Sequence, residues 1–167
     1  MMEGKKNKSR ALMVFGAPCS GKSTFAKKFA EKFGLAYYNF DEIKKKHDFS
    51  LEEIYTILEL IMLTRQTIIF EGLLDTEKER AKMKEILNKE DYEPRLIWVQ
   101  TDVATIRARM KAKYKSVSEA KNLYDAAVGE MEAPSEAEAP IILSGKHTFE
   151  TQTKHVVAGL ADAPKRR

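Results

Sequence analysis

Short unbroken apolar runs alternate along this chain with segments whose apolar residues recur every three or four positions. Ala11–Phe15 (ALMVF) is such a run, as expected of a strand buried on both faces. Lys22–Phe33 follows with Phe25, Ala26, Phe29, Ala30 and Phe33 at helical spacing, and Gly34 reads as its C-terminal stop. Leu35–Phe40 (LAYYNF) predicts a second strand ending at Asp41, Thr67–Phe70 (TIIF) a third ending at Glu71-Gly72, and Arg95–Gln100 (RLIWVQ) a fourth just after Pro94. Ser50-Leu51-Glu52-Glu53 is a capping box opening a helix with Ile54, Ile57, Leu58 and Ile61 on one face, and Thr76–Lys89 is a second helix of that kind. Residues 103–131 read as helix broken near Ser116, where Ser116-Val117-Ser118-Glu119 offers a fresh cap. Glu132–Pro140 (EAPSEAEAP) reads as a mobile connection, Ile141–Ser144 as a fifth strand and Thr148–Leu160 as a last helix. Five alternations of strand and helix specify an α/β fold, a parallel sheet with helices on both faces.

Composition narrows the class. The chain has 167 residues, 43% hydrophobic and 32% charged, which suits one soluble globular domain and not a disordered or fibrous chain. The net charge of +4 and pI near 9.0 suggest nucleic acid at first sight. The first ten residues contribute +3, however, and Lys165-Arg166-Arg167 another +3, which leaves about −2 for everything between. The excess belongs to basic tails at 1–9 and 162–167, flanking a single domain over 10–161. One cysteine, Cys19, excludes an internal disulfide or a Cys-rich zinc site, and the three histidines form no HExxH pair. No apolar run nears the roughly 20 residues of a membrane span, and no signal-type apolar region follows the first ten residues. The expectation is a reducing cytoplasm.

The strongest chemical signal lies between the first strand and the first helix. Gly16-Ala17-Pro18-Cys19-Ser20-Gly21-Lys22-Ser23 fits GxxxxGK(S/T) at every fixed position, with Thr24 next. Gly16 and Gly21 let the backbone curl so that N–H groups converge on phosphate oxygens, and the helix N-terminus adds partial positive charge. Lys22 is placed for the β- and γ-phosphates of a nucleotide and the Ser23 hydroxyl for Mg²⁺. An ordinary glycine turn with a surface lysine is the competing reading, and the strand–turn–helix context speaks against it. Cys19 occupies an unconstrained position of the loop and reads as a small packing side chain.

Ligands of open α/β sheets bind at the carboxyl ends of the strands. Asp41 ends the second expected strand (NFDEIKKK) and Glu71 the third (IIFEGLLD). With GAPCSGKST and the stretch MEAPSEAEAP after a basic helix, these features resemble the small P-loop kinases, among them shikimate, gluconate and adenylate kinases. The likeness is closer still to the AAA-family ATP-binding kinases related to the polynucleotide 5′-hydroxyl kinase domain and zeta-type toxins. It covers most of residues 10–160 and implies a P-loop fold with strand order 2-3-1-4-5. "AAA" here denotes the nucleotide fold, because no long helical lid domain fits.

The resemblance also implies roles. Asp41 corresponds to the carboxylate that orients and deprotonates the acceptor hydroxyl, against the plainer role of helix cap. Lys44 stands where relatives usually carry a substrate-gripping Arg, and a lysine loses the bidentate fork. Glu71 corresponds to the acid that holds Mg²⁺ through water, although relatives more often use Asp. Arg107, Arg109, Lys111, Lys113 and Lys115 fall in a lid region at about 103–135, whose arginines would close over the γ-phosphate. Arg107 and Lys111 share one helix face and Arg109 and Lys113 another; a solvated basic face is the alternative. Trp98 reads as core, one of Tyr37 and Tyr38 as a lining of the acceptor pocket, and His147 as a surface histidine, with a place beside the adenine as the weaker alternative that the resemblance implies.

The expected function is an ATP- and Mg²⁺-dependent kinase acting on a hydroxyl or phosphate of a small acceptor, as a monomer or homodimer without a membrane partner. Two alternatives stay open. One is a polynucleotide 5′-hydroxyl kinase using the basic tails on nucleic acid. The other is a nucleotide-binding regulator without transfer chemistry.

Overall fold

A computed structural model describes residues 8–114 and 116–162. The strands are β1 (Arg10–Phe15), β2 (Ala36–Asn39), β3 (Ile68–Glu71), β4 (Glu93–Gln100) and β5 (Ile141–Ser144). The helices are α1 (Lys22–Phe33), α2 (Phe40–His47), α3 (Leu51–Met62), α4 (Glu77–Lys89), α5 (Val103–Lys113), α6 (Val117–Gly129) and α7 (Phe149–Ala161). All strand pairs are parallel, in the expected order β2-β3-β1-β4-β5. Residues 1–7 and 163–167, which make up most of the expected basic tails at 1–9 and 162–167, and Lys115 lie outside the described residues.

Side-chain alternation along the strands builds two cores. On one face Met13, Phe15, Phe70 and Leu96 pack against Phe40, Ile54, Leu58 and Met83 of α2, α3 and α4. On the other, Leu12, Val14, Ile97 and Val99 meet Phe25, Ala26 and Phe29 of α1 and Val156 of α7. A third, small cluster joins Ile106, Met110 and Ala120 of the α5–α6 hairpin to Ala17 and Cys19 of the glycine loop. Register then fixes where loops meet. Glu71 pairs with Val14 on one side and Asn39 on the other, so β1, β2 and β3 end level and their loops open at one edge.

Three local features depart from the sequence reading. The chain turns into a helix at Asn39, whose Oδ1 accepts from Glu42 N at 3.1 Å, so Asp41 is the second residue of α2 and not the end of a strand. Acids in the first turn and Lys44, Lys45, Lys46 and His47 in the last suit the helix dipole. Pro94 lies inside β4, where its missing N–H costs little because β5 joins only at Ile97. Glu132–Pro140 is pinned rather than mobile. Its short 3₁₀ turn, Glu136–Glu138, is held by fully buried Arg80, whose guanidinium donates to both Glu138 carboxylate oxygens at 2.8 and 3.1 Å.

Candidate functional site

Two clefts meet at the carboxyl edge of the sheet, with Lys22 lining both. The larger, of about 460 Å³, is lined by Lys22, Ser23 and Thr24 of the glycine loop and α1, by Arg109 and Lys113 of α5, and by the β5–α7 turn. Gly21 and Cys19 belong to its wall, as do His147 and Phe149. Its charged lining is entirely basic, Lys22, Lys28, Arg109 and Lys113. The smaller cleft, of about 150 Å³, is lined by Gly16, Pro18, Lys22, Asp41 and Asp75, with Ala127 of α6 and Met131 beyond it. Charge is thus segregated, cations on one side of Lys22 and carboxylates on the other.

Lys22 opens α1 immediately after Gly21, and its ammonium makes no hydrogen bond or ion pair among the described residues. Ala17 packs against the α5–α6 hairpin and lines neither cleft, and the buried Ser20 hydroxyl has no partner among the described residues. The Ser23 hydroxyl donates to Glu71 Oε2 at 2.9 Å. Glu71 is 1% exposed, and its other oxygen accepts from the Tyr37 hydroxyl and from Asn39 Nδ2 at 3.4 Å. Burial, followed by the Glu71 hydrogen bond and charge, raises the Tyr37 hydroxyl well above its ordinary pKa, so it stays a donor. No group of three or more His, Cys, Asp or Glu side chains stands ready for a metal among the described residues. The Ser23 hydroxyl and the Glu71 carboxylate are the paired oxygen groups beside the loop that could face a cation.

Asp41 Oδ1 accepts the Leu73 N–H at 3.2 Å. Gly72 makes that approach feasible: its φ is 94°, and a Cβ there would lie 2.5 Å from Asp41 N. Asp41 is exposed by surface area, yet the surrounding cleft walls raise its carboxyl pKa by desolvation, opposed by the Leu73 N–H and by Lys22. Asp75 is raised likewise, first by desolvation and then by the charge of Asp41.

The two lid arginines part company. The Arg109 guanidinium donates to Cys19 O at 3.1 Å, Ser20 O at 3.2 Å and Gly145 O at 2.9 Å, so it clasps the glycine loop to the β5–α7 turn. Arg107 is exposed and lines a separate crevice with Lys111, Val117 and Tyr124, away from both clefts. This is the two-face division expected of residues two apart on a helix. Lys44 also lies apart from the smaller cleft, and of the tyrosines Tyr37 serves Glu71 while Tyr38 stacks on Phe40.

Sequence reasoning missed three contributors. Asp75 stands in IIFEGLLD without a recognisable spacing. Gly145 lets the β5–α7 turn close on the glycine loop, since any Cβ would collide with Ser20 O. Arg80, at 0% exposure, donates to the Leu74, Asp75 and Glu132 carbonyls and so fixes the wall that carries Asp75. Its one legible signal was an Arg on the apolar side of an amphipathic helix.

Comparisons agree with this architecture. No curated protein matches the chain. A sugar kinase from Janibacter sp. superposes with a TM-score of 0.71 at 19% identity, covering 93% of this chain and 96% of that one. A gluconokinase from Sinorhizobium meliloti gives 0.70 at 15%, covering 92% and 93%. The APS kinase of Mycobacterium tuberculosis, in complex with AMPPNP and APS, gives 0.65 at 13%, covering 93% and 99%. At these identities the likeness establishes the small P-loop kinase fold. A family model described as an AAA domain matches residues 12–137, which includes the glycine loop, Asp41, Glu71 and all of α5 and α6, and the chain belongs to that family.

Proposed function

We propose that this protein is an ATP- and Mg²⁺-dependent kinase that phosphorylates a hydroxyl of a small molecule. One observation carries the reading: Lys22 lies where a cleft lined by cations meets a cleft lined by carboxylates. The first suits a polyphosphate and the second a hydroxyl acceptor, and the transferring group would sit between them. The names of the structural neighbours, sugar, gluconate and APS kinases, support the same class.

In this reading the glycine loop from Gly16 to Thr24 receives the phosphates, with Lys22 on the γ-phosphate. His147 and Phe149 line the larger cleft and would flank the base. Ser23 would hold Mg²⁺ directly and Glu71 through water; the ion supplies neutralisation of developing phosphate charge. Asp41 orients the acceptor hydroxyl and takes its proton. The hydroxyl oxygen forms the new bond to the γ-phosphorus while the bond to the bridging oxygen breaks, and ADP departs. Arg109, already at the loop, is the better placed arginine to answer that charge.

A polynucleotide acceptor is disfavoured, because two carboxylates in the smaller cleft would repel a polyanion. The test is ATP-dependent ADP release across sugars, nucleosides, hydroxy acids and 5′-hydroxyl oligonucleotides. Acceptor-dependent release supports the kinase; ATP binding with no acceptor response across the panel would favour a regulator.

A further inference from the structure

The smaller cleft holds more acid than one catalytic carboxylate requires. Asp75 shares its wall with Asp41 and Lys22. Its backbone carbonyl is fixed by the Glu132 N–H at 2.8 Å and by Arg80 at 3.2 Å, yet its carboxylate has no hydrogen bond or ion pair among the described residues. Glu79 and Glu130 add to the negative field around it. The nearby guanidinium of Arg80 offers no compensation, being spent on Glu138 and three carbonyls. Lys22 is the one cation that lines this cleft among the described residues, and in the kinase reading the phosphates engage it.

We infer that the acceptor is an amine-bearing polyol, its ammonium paired with Asp75 while a neighbouring hydroxyl meets Asp41. The inference rests on the kinase reading above and sharpens its substrate. A carboxylate or phosphate on the acceptor would enter a field of its own sign and find no guanidinium to receive it. Asp75 is exposed by surface area but has no counter-charge in this cleft other than Lys22, and a neutral polyol would supply none, whereas an ammonium answers both its charge and its acceptor oxygens. The cleft volume of about 150 Å³ suits one sugar-sized ring beside the loop. The nitrogen is a handle and not the nucleophile. The hydroxyl oxygen bonds to the γ-phosphorus, its proton passes to Asp41, ADP leaves, and the ammonium keeps its hydrogens.

Three pyranoses that differ in charge test this: D-glucosamine, D-glucose and D-glucuronate. Turnover is read as ADP release, and affinity is titrated in parallel on protein saturated with AMPPNP. Glucosamine should lead glucose by roughly 10–100-fold, the worth of one charged hydrogen bond, with glucuronate last. Added salt should narrow the gap. Asp75→Asn should bring the glucosamine-to-glucose ratio close to unity, since the amide keeps size and hydrogen bonding but not charge. Glucuronate ranked first, or a glucosamine preference that survives Asp75→Asn, would overturn the amine assignment and leave the kinase reading standing. Glucosamine preferred in affinity without any turnover would support the charge assignment and count against the kinase reading alone. Equal affinity for all three would overturn the amine assignment.

Discussion

The Ser23 hydroxyl donates to Glu71 Oε2 at 2.9 Å, which joins the residue after the P-loop lysine to the acid at the end of β3. The pairing follows from register, because Val14 and Glu71 are partners in β1 and β3, and the loop leaves β1 one residue later. Glu71 accepts from three donors, so Glu71→Gln would set an amide N–H₂ against at least one of them. The expected result is a Mg²⁺ requirement raised on the order of 10–100-fold with the fold retained, read from turnover over a magnesium titration. An unchanged magnesium midpoint would remove Glu71 from the metal's surroundings.

Asp41→Asn should separate activity from stability. Transfer should fall roughly 10²–10⁴-fold, because the amide cannot take the hydroxyl proton. Stability should rise at neutral pH. Desolvation raises the folded-state pKa of Asp41, so the ionised carboxylate opposes folding once pH exceeds its unfolded value, and asparagine removes that cost. The same raised pKa moves the acid limb of kcat/KM upward from the ordinary value for an aspartate. Thermal melts and pH–rate profiles of both proteins check the pair of effects; wild-type turnover in the variant would return Asp41 to a structural role in α2.

Arg109→Ala and Arg107→Ala should differ sharply. Arg109 bridges the glycine loop and Gly145 through three carbonyls, and its loss should lower kcat on the order of 10²-fold. Arg107, exposed and away from both clefts, should change stability by no more than about 0.5 kcal/mol and leave turnover near wild type. Equal losses in the two variants would point to general lid charge instead of a specific contact.

Arg80 and Glu138 govern acid stability. Hydrogen bonding to Arg80 holds the Glu138 carboxyl down at about 2, so its contribution is complete above the ordinary carboxylate pKa and is lost as pH falls from there through the lowered folded-state pKa. Glu138→Ala leaves the Arg80 charge buried without its partner, at a cost of about 3–5 kcal/mol. Denaturant melts from pH 7 to pH 2 should show wild type converging on the variant at the acid end. A constant gap across the range would mean that the pair contributes through packing alone.

Much of this site was legible in the chain because its signals are local. The glycine loop, the capping boxes at Ser50 and Thr76, and Glu71 after an apolar run each announce themselves within a few residues. The start of α2 was misread because LAYYNF carries aromatic residues that favour strand, while the decisive group is the Asn39 side chain acting as a cap. Asp75, Gly145 and Arg80 were missed for a different reason. Their partners are Asp41, Ser20 and Glu138, which lie at least 34 residues away in sequence and meet them only through the sheet topology.

The most direct test of the central claim is a comparison of wild type with Lys22→Ala, measuring ATP affinity and acceptor-dependent ADP release on the same preparations. Lys22 lines both clefts, so its loss should remove most nucleotide affinity or turnover while the thermal melt stays cooperative. Equal ATP affinity and equal turnover in the folded variant would contradict the assignment of this junction as the site of phosphoryl transfer.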